Sequence, residues 1–238
     1  MTREIKLEDL LTAPAEADSF FVTDLGDSQS LSDAMIDRMN NAVDDFLPDE
    51  TDKIPDYLIN DPQVVGYPDA EMQDDIYRWV SLSIDKLTSV KDLGCGRGDF
   101  ARYLQSIAWP NNVEYIGIDQ NPVMIAAGRQ KYPNVDLRCG TWFNFKEKTD
   151  YTVCIGSLEE YNQVDAIHFF QRTVQYAIET TDVKAIFVFT LDGDNAELAN
   201  WLSTGLISWL SGYPFELDYS RYSGICKMTL YPAGFRLA

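Results

Sequence analysis

Apolar residues recur along this chain with two different periods, and the change from one to the other marks out its elements. Met35, Met39, Ala42, Val43 and Phe46 share one face of a helix expected over residues 32–47, which Pro48 closes. Residues 48–70 carry four prolines and read as a connecting segment. Met72, Ile76, Trp79, Val80 and Leu87 then lie roughly in phase on a second amphipathic helix. From residue 89 the pattern alternates. Strand-like apolar runs at 89–93, 113–118, 135–139, 151–156 and 184–190 are separated by helical stretches at 99–108, 122–132, 164–179 and 195–210. Such alternation predicts an α/β fold with a doubly wound, mostly parallel sheet covered by helices on both faces. The end breaks the rhythm. "FELDYSRYSGICKMTLYP", residues 215–232, holds two strand candidates joined by a short glycine-containing link. A seven-stranded sheet with an antiparallel C-terminal strand is therefore expected.

Between the first strand and its helix stands "SVKDLGCGRGDF", Ser89 to Phe100, with glycines at alternate positions. Gly94, Gly96 and Gly98 allow positive φ and a close approach to the backbone, while the helix after them offers unpaired N–H groups. That is the build of a nucleotide-type pocket. The dinucleotide fingerprint G-x-G-x-x-G would place its third glycine at residue 99, which is Asp99. An acid at the helix start is expected to compete with a pyrophosphate for the same donors, whereas a cofactor without phosphate tolerates it. A nicotinamide or flavin site is disfavoured.

Charge narrows the choice of partners. The net charge is −19, and residues 1–56 hold 15 acids and 4 bases, so this quarter of the chain alone carries −11. No Lys/Arg cluster offers a stripe for a phosphate backbone, so nucleic acid is a disfavoured partner. The acidity serves either solubility or an acidic docking region. No apolar run is long enough to span a membrane, and "MTREIKLEDL" lacks the apolar core of a signal peptide. Cys95, Cys139, Cys154 and Cys226 are scattered, as expected for buried thiols in a reducing, cytoplasmic compartment. The lone histidine, His168, lies in a helical stretch and has no partner at zinc-ligand spacing, so no metal is expected.

Read with the acid ahead of it, the turn spells D-x-G-x-G-x-G: Asp92, Gly94, Gly96, Gly98. This resembles the first motif of the class I S-adenosylmethionine-dependent methyltransferases. "YIGIDQN", 115–121, is similar to that family's second strand, with Asp119 standing 27 residues after Asp92. The resemblance implies a Rossmann-like methyltransferase fold and S-adenosyl-L-methionine as cofactor. It places Asp92 near the ammonium of the methionine moiety, Asp119 on both ribose hydroxyls and Gln120 beside the adenine. After the third strand, in "RCGTWFNF", the family often has an acid next to the adenine amine. Here Thr141 and Trp142 stand instead, and Trp142 is open between stacking on adenine and filling the core. After the fourth strand, "CIGSLEEY" implies backbone contacts from Gly156, Ser157 and Leu158 under the methionine portion. Upstream, Tyr67, Gln73 and Arg78 are candidates for a segment folded over the cofactor. Arg78 either pairs the cofactor carboxylate or faces solvent. The resemblance runs from about residue 65 onward, so residues 1–65 are expected as an acidic, largely helical extension and 66–238 as the cofactor-binding domain.

Methyl transfer from a sulfonium is an in-line displacement that needs positioning more than an acid or base. The chain lacks the Asn/Asp-Pro-Pro-Tyr/Phe motif of nucleobase amino methylation, and Cys154 precedes the fourth-strand loop instead of supplying a nucleophile within it. Glu159, Glu160 and Tyr161 are the candidates for meeting an acceptor; as readily, the acids begin a helix. The expected activity is methyl transfer to a small molecule or a protein side chain. The alternative is a catalytically silent cofactor-binding module that works through its acidic N-terminal region.

Overall fold

The computed structural model describes residues 54–86, 88–107, 113–158, 166–191 and 196–232. The helix expected over 32–47, and Glu159, Glu160 and Tyr161, lie outside the described residues.

The strands are β1 (Ser89–Leu93), β2 (Glu114–Asp119), β3 (Asp136–Cys139), β4 (Thr149–Ile155), β5 (Thr181–Thr190), β6 (Phe215–Asp218) and β7 (Ile225–Leu230). They form one sheet in the order β3-β2-β1-β4-β5-β7-β6. Pairing is parallel from β3 across to β5, and β7 runs antiparallel to both β5 and β6. The helices are α1 (Asp56–Asn60), α2 (Ala70–Ser81), α3 (Asp99–Ser106), α4 (Pro122–Lys131), α5 (Ala166–Thr180), α6 (Ala196–Thr204) and α7 (Leu206–Trp209). The single helix expected over 195–210 is thus two, broken at Gly205.

Central strands here are apolar on both sides because both sides are covered. In β5, Ile186 and Val188 join Trp79 and Val80 of α2 and Phe100 and Leu104 of α3 in one core cluster. Phe187 and Phe189 point the other way, to Phe170 and Val174 of α5 and Leu198 and Leu202 of α6. Polar anchors tie α2 to the terminal hairpin. Trp79 Nε1 donates to Asp218 Oδ2 at 2.8 Å, and Arg221 and Tyr222 both bond the Asp75 carboxylate. No helix among the described residues is long and apolar enough to cross a membrane.

Strand order reverses between β1 and β4: β2 and β3 stack on one side of β1, and β4 and β5 on the other. In open α/β sheets the crevice at such a reversal, outside the carboxyl ends of the strands, is where ligands sit. The glycine turn after β1 and residues 156–158 after β4 border it.

Residues 54–65 belong to this frame by contact. Ile54 and Leu58 pack with Val123 and Ala127 of α4 in a small cluster of their own. Removing residues 1–50 is expected to leave a cooperatively folding chain, whereas removing 1–66 strips Ile54 and Leu58 from α4 and should lower the denaturation midpoint. Equal midpoints for the two truncations would show that α1 contributes nothing to the core.

Candidate functional site

After Leu93 the backbone turns through three left-handed glycines, Gly94 (φ +72°), Gly96 (φ +54°) and Gly98 (φ +79°). The N–H groups of Gly94 and Cys95 both donate to Ile118 O, at 2.8 and 3.1 Å, which binds the turn to the end of β2. A side chain on this turn would meet its neighbours. A β-carbon on Gly94 would overlap the Ser157 hydroxyl, which donates to Gly94 O at 2.9 Å and so closes the β4 loop onto the turn. A β-carbon on Gly96 would stand 3.1 Å from Cγ1 of Val65.

Asp119 ends β2 beside this turn. Its Oδ2 accepts from Gly96 N and its Oδ1 from Asn121 N, each at 2.8 Å. Both oxygens are thereby aimed beside the glycine turn. Asn121 starts α4 as its N-cap, its side chain accepting from Val123 N and Met124 N. Gln120, between them, is half-buried.

Asp92 lies deeper. It is 2% exposed, and Tyr115 OH donates to its Oδ2 at 2.5 Å. Burial pushes its carboxyl up to about 7; the Tyr115 hydrogen bond opposes this and the charge of Asp119 adds to it. Tyr77 of α2 closes the same region from the other element. Its phenol is pushed up by burial and then by neighbours that include Tyr67, Asp99 and Asp92. Gln73 Nε2 donates to Tyr77 OH at 3.1 Å, and the Tyr67 ring meets the Tyr77 ring edge-on at 5.8 Å. Tyr67 and Gln73 therefore gather around Tyr77. Arg78 does not join them: it is exposed on the outward face of α2.

Thr141 is buried, with no hydrogen-bond partner for its hydroxyl. The Trp142 ring is 2% exposed and lies 5.6 Å from the Phe169 ring and 5.8 Å from the Phe143 ring, so of its two open roles it fills the core one. Gly156 (φ +69°) donates to Val188 O, and Leu158 is buried in the cluster with α5. His168 is exposed on α5. Cys95 and Cys139 are half-buried thiols at the site; burial, then Asp119 and Asp92, push Cys95 well above the usual thiol range. Among the described residues no group of His, Cys, Asp and Glu could hold a metal ion.

One expectation needs correcting. The Asp99 carboxylate does not compete for the free N–H groups at the start of α3. Arg97 Nε and Nη2 take its Oδ2 at 3.1 and 2.8 Å, and Lys131 Nζ and Tyr132 OH take its Oδ1 at 2.9 and 2.6 Å. Burial pushes this carboxyl up, but Arg97, Tyr132 and Lys131 together outweigh it and hold Asp99 below its ordinary range. The case against a dinucleotide rests on the missing third glycine alone.

Residues 90–177 match the model of the methyltransferase domain family. Over 57 residues the chain is 39% identical to 235L of Invertebrate iridescent virus 6, a protein named for methyltransferase activity. That alignment takes in 24% of this chain and 21% of 235L, so the chain matches about a fifth of that relative's length. Among solved structures, the PH0226 protein of Pyrococcus horikoshii OT3 superposes with a TM-score of 0.52 at 19% identity, over 74% of this chain and 95% of its own. Magnesium protoporphyrin IX methyltransferase of Synechocystis PCC 6803, crystallised with bound S-adenosylmethionine, gives 0.51 at 15% identity, over 89% and 100%. A second Pyrococcus horikoshii protein, described as a candidate RNA methyltransferase, gives 0.50 at 12%, over 82% and 98%. The methyltransferase domain matched at residues 90–177 thus sits on a seven-stranded sheet whose strand order and reversed β7 are those of the Rossmann-like methyltransferase fold.

Proposed function

We propose that this protein binds S-adenosyl-L-methionine across the β1–β4 reversal and transfers its methyl group to a small molecule or a protein side chain. The carrying observation is the Asp119 carboxylate at the end of β2, whose two oxygens the Gly96 and Asn121 amides orient beside the glycine turn. Asp119 takes the ribose hydroxyls, and Asp92 faces the ammonium of the methionine moiety. Gln120 and Thr141 border the adenine, with the Thr141 hydroxyl gaining the partner it lacks. Gly94, Gly96 and Gly98 let the cofactor approach the turn, and Gly156, Ser157 and Leu158 underlie the methionine portion. When bound, the cofactor supplies an electrophilic methyl on a sulfonium. It would give that methyl to an acceptor lone pair by in-line displacement, with S-adenosylhomocysteine as the leaving group. The residues named here orient the reactants, which is what such a displacement requires. Glu159, Glu160 and Tyr161 follow Leu158 in the chain and are the proposed acceptor-side residues.

The acid balance favours a small molecule or protein side chain over nucleic acid, and the likeness to a candidate RNA methyltransferase at 12% identity concerns the fold alone. A coupled assay for S-adenosylhomocysteine over a broad acceptor panel tests the proposal. Turnover on at least one acceptor, strongly reduced in Asp119→Ala at limiting cofactor, is the expected result. A wild type that binds the cofactor and consumes it on none would point to the silent module acting through its acidic N-terminal region.

A further inference from the structure

Arg97 sits between Gly96 and Gly98, yet its side chain is turned away from the cleft and is 1% exposed. Its Nη1 donates to Leu58 O and to Asp61 O, both at 2.9 Å, while Nε and Nη2 hold Asp99. The Leu58 carbonyl has a reason to need it. Its helical partner would be the N–H of residue 62, and residue 62 is a proline, which has none. Arg97 satisfies the orphaned acceptor.

Downstream of that contact the chain is set step by step. Asp61 caps a 3₁₀ turn, Pro62–Val65, by accepting from Gln63 N at 2.9 Å. Gly66 (φ +84°) then turns the backbone, leaving Val65 against Gly96. Gly96 in turn is the residue whose N–H orients Asp119.

We infer that Arg97 is a positioning residue for the cofactor site, clamping residues 58–65 onto the glycine turn so that Val65 becomes part of the pocket wall. This rests on the cofactor reading above. The alternative role, holding α1 to the body of the domain, is already served by Ile54 and Leu58 against α4. A buried ion pair is in general no more stabilising than well-packed apolar residues, and what it can add is a fixed register. Arg97 adds one here. The fork reaches two carbonyls and a carboxylate at once, and neither the turn nor residues 58–65 can shift without breaking one of them. Lysine keeps the charge but has no fork to span all three.

The test compares wild type, Arg97→Lys and Val65→Ala, using backbone hydrogen exchange and calorimetric titration with S-adenosylhomocysteine. In wild type, amides of residues 58–66 are expected to exchange slowly and to slow further on saturation. In Arg97→Lys, exchange there should rise in the unliganded protein while β4 and β5 stay protected. Its affinity should fall about tenfold or more, the scale of one lost charge-assisted hydrogen bond. Val65→Ala leaves every charge in place and should weaken binding by a smaller factor at an unchanged thermal midpoint. If Arg97→Lys fails to fold, Val65→Ala decides alone. Unchanged affinity in both variants, or in Val65→Ala where it alone folds, overturns the inference. A wild type that binds no S-adenosylhomocysteine would instead sink the cofactor reading, and the exchange at 58–66 would still report whether the clamp exists.

Discussion

Asp119→Ala is expected to weaken S-adenosylhomocysteine binding by about 1.5–3 kcal/mol, the scale of lost hydrogen bonds to a charged group, or roughly 10- to 150-fold. Two losses combine. The ribose hydroxyls lose their acceptor, and the Gly96 and Asn121 amides lose the carboxylate that fixes the turn against α4. Asp119→Asn is no gentle substitute, because one of its two side-chain ends is a donor and would face a backbone N–H. The Asn121 cap on α4 is independent of Asp119, so the variant should still fold. Calorimetry on the folded variant decides the matter. Affinity within twofold of wild type would mean that the ribose lies elsewhere.

What the sequence made visible here follows from where the constraints act. Strand positions came out within a few residues, because burial on both faces writes a continuous apolar run into β5. Its start at Thr181 was missed, the expectation being 184. Thr181 and Asp182 are polar, and the pairing that holds this end, Thr181 Oγ1 to Thr152 Oγ1 at 2.6 Å, leaves no apolar trace. The glycine turn and Asp119 were legible because they answer local backbone demands. Arg97, Tyr115 and Tyr77 were not, because their roles depend on partners distant in sequence. Arg97 reaches carbonyls 36 and 39 residues away, and Tyr115 reaches Asp92 across 23. Asp99 was misread for the same reason: a local rule about acids at helix starts yielded to Lys131 and Tyr132, 32 and 33 residues on. The one local signal for Arg97 was the proline at 62, which orphans a carbonyl but does not say what will satisfy it.

Asp92→Asn is expected to stabilise the unliganded protein near pH 8 while weakening its hold on the cofactor. The carboxyl is 2% exposed, and burial raises it from 3.8 to about 7. The sign follows from proton binding. Between those two values the folded protein keeps a proton that the unfolded chain has lost, so stability falls as pH rises through the window. The full shift is worth about 4 kcal/mol. Tyr77, Cys95 and Tyr115, which share this environment, are all pushed upward and stay neutral across the window, so they add nothing to the slope. Asparagine keeps an acceptor for Tyr115 OH and removes the buried charge, so denaturation midpoints near pH 5 and pH 8 should differ less in the variant than in wild type. Binding should move the opposite way. An ammonium placed beside Asp92 gains most once the carboxyl is ionised, so wild-type affinity for S-adenosylhomocysteine should rise from about pH 6 to pH 8. In Asp92→Asn it should be weaker and lack that rise. Among the described residues the printed partner of this buried carboxyl is the neutral Tyr115 hydroxyl, and the cost of ionising it is explained if the counter-charge arrives with the ligand. Equal affinity of variant and wild type at pH 8 would show that Asp92 serves the turn and not the cofactor.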